Sequence, residues 1–249
     1  VRVPVRRAVG MAMLVRTPTG RSLAERFAAL PGGTVTVRFA DLEAVGGRVH
    51  FSEAGDAVVL GRGQLAWKRE WAVLRTVELL GHELLGHALS HRRARAAGVA
   101  WEHGACLEDE VNAGLVGVLV GLEAGWRFLD PWAEGLLKDR AAYERALHWR
   151  QPEYAVALRE DELADPVGAL EARLALVPDR LEEGGGRRRY EAALTERLEL
   201  LRSRPDLTAL LKAYAAHPFR EEMAAEVARR LERLAAVAPP PPGLQSPAE

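Results

Sequence analysis

The spacing of apolar residues changes character along the chain. A short helical stretch over residues 22–29 ends at the turn Pro31-Gly32-Gly33, and three runs rich in Val, Phe and Leu follow at 34–39, 48–52 and 57–60. Gly46-Gly47 and Gly55-Asp56 separate the runs, a pattern of short strands joined by tight turns. They predict a small, mostly antiparallel sheet. From about residue 66 the period lengthens to that of a helix. Leu74, Val77, Leu84, Leu85 and Ala88 fall close to one stripe, and the helix runs into the basic segment His91-Arg92-Arg93-Ala94-Arg95. Cations there suit the negative end of a helix dipole, so the run reads as a C-terminal cap.

A turn-rich segment at 98–104 leads to a second helix over 107–123. From Pro131 onward the pattern is helix broken by turns, with amphipathic stretches at 141–147, 166–176, 188–202, 207–215 and 220–236. The expected class is α+β, mostly α. A small N-terminal sheet packs on the helix that begins near residue 66, within residues 1–130, and an all-helical region follows over 131–238. Gly184-Gly185-Gly186 marks a candidate linker at 183–187. The Pro-rich tail, 239–249, has the composition of a disordered segment.

Composition narrows the function classes. The chain has 249 residues, enough for one sizeable core or a core with a smaller helical domain. Lys and Arg number 34 against 35 Asp and Glu, so no global field favours nucleic acid or an acidic membrane surface. The single cysteine, Cys106, excludes an intrachain disulfide framework and a Cys-rich zinc ribbon, and points to a reducing, cytoplasmic setting. Residues 8–15 faintly imitate a signal peptide, but the apolar run is short, ends at Arg16 and lacks a cleavage site. The longest apolar stretch, 111–122, is interrupted by Asn112 and three glycines and falls short of the roughly 20 residues of a membrane span.

The chemistry is concentrated in His82-Glu83-Leu84-Leu85-Gly86-His87, two imidazoles and a carboxylate on one helix. That donor set suits a zinc hydrolase, whose usual signature is H-E-x-x-H, with two ligands on one helix face and the Glu as general base. Here the histidines are five apart, which on a regular α-helix leaves the rings about 140° apart. A local widening to i→i+5 hydrogen bonds, a π-bulge, brings them nearly into line, and Gly86 fits such a distorted turn. His87 and His91 have the ordinary four-residue spacing and form an alternative pair. In that register Ala88 stands where the base should be, giving a metal site without hydrolysis.

Two histidines need a third protein ligand. Glu110, on the second helix, heads the stripe Glu110, Gly114, Gly117, Gly121, a face without bulky side chains that can approach another helix closely. The opposite face, with Leu107, Val111, Leu115 and Leu119, reads as ordinary core. His50, His148 and His217, taken singly, read as structural. Cys106, one turn before Glu110, is either a buried small hydrophobe or a neighbour of the metal.

The hexapeptide 82–87 resembles the zinc motif of the dipeptidyl peptidase III family, H-E-x-x-G-H, letter for letter. That family adds a downstream E-E-x-[RK]-A-[ED] helix whose second Glu binds zinc. Asp109-Glu110-Val111-Asn112-Ala113-Gly114 matches its acidic pair and its Ala and departs at Asn112 and Gly114. The two motifs also lie closer together than in that family, and the chain is too short for its two-lobed architecture. In size and plan the chain is similar to the small ImmA/IrrE-like metallopeptidases, which have a minimal sheet, a helix with His-Glu-Leu-Gly-His and a later helix beginning Glu-x-Asn. Glu110-Val111-Asn112 fits that plan, with one Leu inserted between the histidines. Both resemblances cover the two helices and, at most, the sheet before them.

Both imply a gluzincin in which His82, His87 and Glu110 hold Zn2+ and Glu83 is the general base acting on a peptide or protein substrate. Glu78 and Asp109 are candidates to orient the ligands. His103, Tyr143 and Tyr154 are candidates to stabilise the oxyanion. The strand at 57–60 is a candidate edge for an extended peptide. The alternative is a catalytically inactive scaffold that acts through its C-terminal helices as an interaction module. No nucleic-acid or membrane partner is expected.

Overall fold

The computed structural model describes residues 3–31, 34–40, 47–50, 56–61, 69–99, 106–127, 129, 131–150, 152–178 and 186–239. The architecture is α+β with helices predominating. By contact the chain forms two compact units, one of residues 1–89, 113–138 and 228–249, the other of residues 90–112 and 139–227.

The first unit opens with helices α1 (Val3–Leu14) and α2 (Pro18–Ala29). The Thr17 hydroxyl accepts from Gly20 N at 3.0 Å and Pro18 occupies the first helical position, so the start of α2 is specified locally. The segment at 8–15 that imitates a signal peptide belongs largely to α1, whose Leu14 is fully buried and whose Gly10 lies against Thr76. Strands β1 (Val35–Ala40), β2 (Gly47–His50) and β3 (Asp56–Gly61) form one sheet.

The order in that sheet is β1-β3-β2. The longer pairing, β1 with β3, is parallel, with Val37 opposite Val58, and only the shorter pairing of β2 with β3 is antiparallel. The expectation of a mostly antiparallel sheet is corrected accordingly: the sheet is mixed. The reason lies in β3, whose Val58, Val59 and Leu60 are buried on both faces and therefore take the centre. A meander and this order bury the same residues, so alternation along the chain cannot separate them. The strand at 57–60 is also no edge. Both sides of β3 are already paired, and an extended peptide cannot add there.

Helix α3 (Arg69–Leu80) continues without a break into a π-helical segment, Gly81–Ala88, and then into α4 (Leu89–Ala96). Strands β2 and β3 and helix α2 lie against the π segment. Leu14, Leu23, Val58, Leu60, Val77, Leu80, Leu84 and Leu85 form the core of this unit with Val116 and Val120 of α5 (Leu107–Glu123). Glu123, at the end of α5, accepts from Thr19 N at 2.8 Å and Thr19 Oγ1 at 2.7 Å, and pairs with Arg233 at 2.7 Å. Helix α6 (Pro131–Lys138) closes the central part of the unit.

The second unit contains α7 (Arg140–Leu147), α8 (Pro152–Ala155), α9 (Pro166–Leu174), α10 (Gly186–Ser203) and α11 (Pro205–Ala215), with α12 (Pro218–Val237) beginning in it. Leu158, Leu163, Leu170, Leu194, Leu198, Leu201 and Phe219 are its core. Arg173 is buried and donates to the carbonyls of Ala155 and Ala157 and to Glu162, so a guanidinium replaces regular structure in tying down the 155–162 segment. The basic run 91–95 is more than a solvated cap. Arg92 is buried, and Arg93 pairs with Glu226 at 2.8 Å and Glu222 at 3.2 Å. Gly186 and Arg187 of the candidate linker lie in the first turn of α10, while 183–185 and the tail from 240 lie outside the described residues. Among the described residues, no helix is long and apolar enough to cross a membrane.

Candidate metal centre

Four residues in the π segment come in two pairs with one spacing: Gly81 with Gly86, and His82 with His87. On an α-helix, members of either pair would point about 140° apart. In the π segment both glycines face α5. A Cβ added at Gly81 would stand 2.4 Å from Val120 Cγ2 and 3.3 Å from Gly117 Cα, and one added at Gly86 would stand 2.5 Å from Ala113 Cα. Close approach to α5 therefore demands glycine at both places, and the i→i+5 turn that aligns the glycines also aligns the histidines.

The two imidazole Nε2 atoms are 3.1 Å apart, with ring centroids at 4.7 Å and ring planes at 82°. One zinc at about 2.0–2.1 Å from each nitrogen, in tetrahedral geometry, would set them roughly 3.3 Å apart, so the observed separation fits two ligands of one ion. Glu110, in the first turn of α5, completes the group: no two of its carboxylate oxygen and the two histidine nitrogens are more than 4.8 Å apart. The next turns of α5 pack on the π segment, with Gly117 Cα so close to His82 that an added Cβ would lie 3.2 Å from His82 Cβ. The position of the glutamate is thus set by the helix that carries it. His91 is not a member of the group, which leaves the register alternative without a third donor among the described residues.

Glu83 is buried, and its Oε1 lies 4.0 Å from His82 Nε2. Tyr154, on α8, donates from its hydroxyl to Glu110 Oε2 at 3.3 Å. Of the other candidates, Tyr143 accepts from Arg150 at 3.4 Å, and His103 lies outside the described residues. Glu78 pairs with Arg75 on its own helix, and Asp109 is buried at the start of α5. Cys106 is core: its thiol donates to Glu108 Oε2 at 2.9 Å, and burial pushes its pKa well up, so it is held as the unreactive thiol. His148 is buried in the second unit, and His217 Nδ1 accepts from Phe219 N, capping α12.

Two contacts escaped the reading of the sequence. Asn112 Nδ2 donates to Ser90 Oγ at 3.1 Å, both residues being buried, which fastens α5 to α4 just past the π segment. The glycine stripe of α5 is also less uniform than its spacing suggested. Gly117 meets Glu78 and His82 and Gly121 lies loosely beside Glu78, but Gly114 takes the indole of Trp132, where an added Cβ would run into the ring. A glycine and a tryptophan on adjoining helices were the available signal.

No family model matches the chain, and no curated protein and no solved structure does either.

Proposed function

We propose that the protein is a zinc-dependent peptidase, with His82, His87 and Glu110 as metal ligands and Glu83 as general base. One observation carries the reading: two imidazole nitrogens at 3.1 Å and a third carboxylate ligand within 4.8 Å, with a buried carboxylate on the neighbouring residue that is not itself a ligand. Zinc held there would acidify a water and polarise a peptide carbonyl. Glu83 takes the proton of the attacking water at its Oε1 and hands it to the leaving amine nitrogen. Burial keeps that carboxylate out of bulk water and close to His82. Tyr154 donates to Glu110 Oε2 and so orients the carboxylate.

The test has two stages. Elemental analysis of the purified chain should find about one zinc per molecule, lost in His82→Ala and kept in His91→Ala. A peptide-library cleavage assay should then show hydrolysis by the zinc form and a loss of roughly 10²-fold or more in Glu83→Gln at unchanged metal content. Zinc lost only with His91 would move the site to the other register. Zinc without cleavage, or cleavage indifferent to Glu83, would favour the non-catalytic scaffold.

A further inference from the structure

Between α8 and the single helical turn at Glu160–Glu162 the chain runs without regular structure of its own, yet Ala155, Ala157 and Leu158 are at most 1 % exposed. Buried backbone of this kind must find partners for its carbonyls elsewhere. Arg173 of α9, itself 6 % exposed, supplies them. Its Nη1 donates to Ala155 O at 2.7 Å and to Ala157 O at 2.8 Å, and its Nη2 donates to Glu162 Oε2. The same stretch of chain also lies against the first turn of α5. Leu107 N donates to Leu158 O at 2.7 Å, Glu160 N donates to Glu108 Oε1 at 3.2 Å, and the Tyr154 hydroxyl donates to Glu110 Oε2 at 3.3 Å. The turn that presents the third metal ligand is therefore held at residues 107, 108 and 110 by one segment. Every residue in this network belongs to the second unit. A guanidinium that served only to neutralise a carboxylate would need Glu162 alone. Arg173 also grips the backbone at Ala155, the residue bonded directly to the tyrosine that reaches Glu110.

We propose that Arg173 is a positioning residue for the metal centre: by fixing the backbone at 155 and 157 it sets where Tyr154 delivers its hydroxyl, and so how the Glu110 carboxylate is turned. The inference rests on the metal-ligand part of the reading above and is independent of hydrolysis. Arg173 acts through the tyrosine and not on the ion. Partners that orient a metal ligand are worth roughly ten- to a hundredfold in metal affinity, and a group one step further out belongs at the low end of that range.

Zinc affinity of the full chain, read by competition with a chromophoric chelator, provides the test. Arg173→Met keeps the aliphatic stem and removes the fork of donors, and should bind zinc roughly tenfold more weakly than the wild type. That effect should disappear once the tyrosine has no hydroxyl to deliver: added to Tyr154→Phe, Arg173→Met should change the affinity by less than about twofold. Leu170→Ala, which opens the core beneath the same helix, should lower Tm and leave zinc affinity within about twofold of the wild type. Arg173→Lys keeps the charge without the fork, should fall between wild type and Arg173→Met, and covers the case in which the methionine variant folds poorly. An Arg173→Met chain that holds zinc like the wild type, or that loses as much affinity in the Tyr154→Phe background as alone, would overturn the assignment. So would a loss of the same size in Leu170→Ala. A wild-type chain that binds no zinc would sink the metal centre itself, and elemental analysis of the same sample tells the two failures apart.

Discussion

Replacing Gly86 by Ala tests whether close packing of α5 on the π segment is what aligns the histidines. The added Cβ would stand 2.5 Å from Ala113 Cα and 2.6 Å from Ala113 Cβ, whereas ordinary contact begins near 3.4 Å. The obstruction is backbone, so no side-chain rotation relieves it, and the two segments must part by about 0.9 Å at that point. Overpacking of this kind costs about 1–3 kcal/mol, set against a gain of about 1 kcal/mol from replacing glycine within a helix. The expected net loss is up to about 2 kcal/mol, or up to roughly 8 °C in Tm for a chain of this size. Zinc affinity should fall roughly tenfold or more, because the displaced helix carries Glu110.

Two companion variants make the reasoning sharp. Gly121→Ala lies on α5, but its nearest neighbour is Glu78 Cβ at 3.7 Å, so it should be neutral or stabilising by up to about 1 kcal/mol. Gly81→Ala meets a side chain, Val120 Cγ2 at 2.4 Å, so Val120→Ala should rescue it, with a coupling of about 1–2 kcal/mol in a double-mutant cycle. Thermal unfolding and zinc competition with a chromophoric chelator read all of these. A Gly86→Ala chain that melts with the wild type and holds zinc equally well would refute the argument.

Tyr154→Phe removes the 3.3 Å bond to Glu110 and should weaken zinc binding roughly tenfold, measured by the same competition, with little change in Tm. Glu123→Ala removes the acceptor for Thr19 N, Thr19 Oγ1 and Arg233 together and should cost about 2–3 kcal/mol in denaturant melts, without loss of zinc. His148 supplies a pH dependence. Burial, with the nearby Arg173 charge, lowers its pKa from 6.5 to about 4. The unfolded chain therefore binds more protons between those values, and this contribution to stability, complete above pH 6.5, is lost as pH falls toward 4, by roughly 3 kcal/mol. Denaturant melts at pH 7 and pH 5 should show about 2 kcal/mol of that fall, and His148→Gln should flatten it.

The parts of the fold that repeat a local signal were legible in the sequence. Residues 107–123 form a helix with those bounds because acidic residues open it and its apolar positions continue all round. The π turn was also legible, since five-residue spacing of two histidines has few other uses. Strand order was not, because Val58, Val59 and Leu60 read alike in a central strand of either topology, and only pairing decides which neighbour is parallel. The packing of residues 3–14 as a helix against α3 was not legible either, because an apolar helix and a short leader share one composition. Contacts such as Trp132 on Gly114 or Asn112 to Ser90 join residues that no periodicity relates.

The inserted leucine is taken up inside the turn that carries the site. Removing Leu85 would give His-Glu-Leu-Gly-His, and both pairs in the π segment, the glycines and the histidines, would become four apart. On a regular α-helix four-residue pairs share a face, so the packing on α5 and the alignment of the ligands should both survive, without the weaker i→i+5 turn. The residues after His87 follow its direction, so Ser90 stays by Asn112 and Arg93 by Glu226. The deletion chain should therefore hold zinc within about tenfold of the wild type, by chelator competition, and unfold with little change in denaturant melts. If zinc binding is lost while unfolding is unchanged, the inserted residue serves the metal itself; if stability falls while zinc is held, the bulge serves the packing of α4 instead.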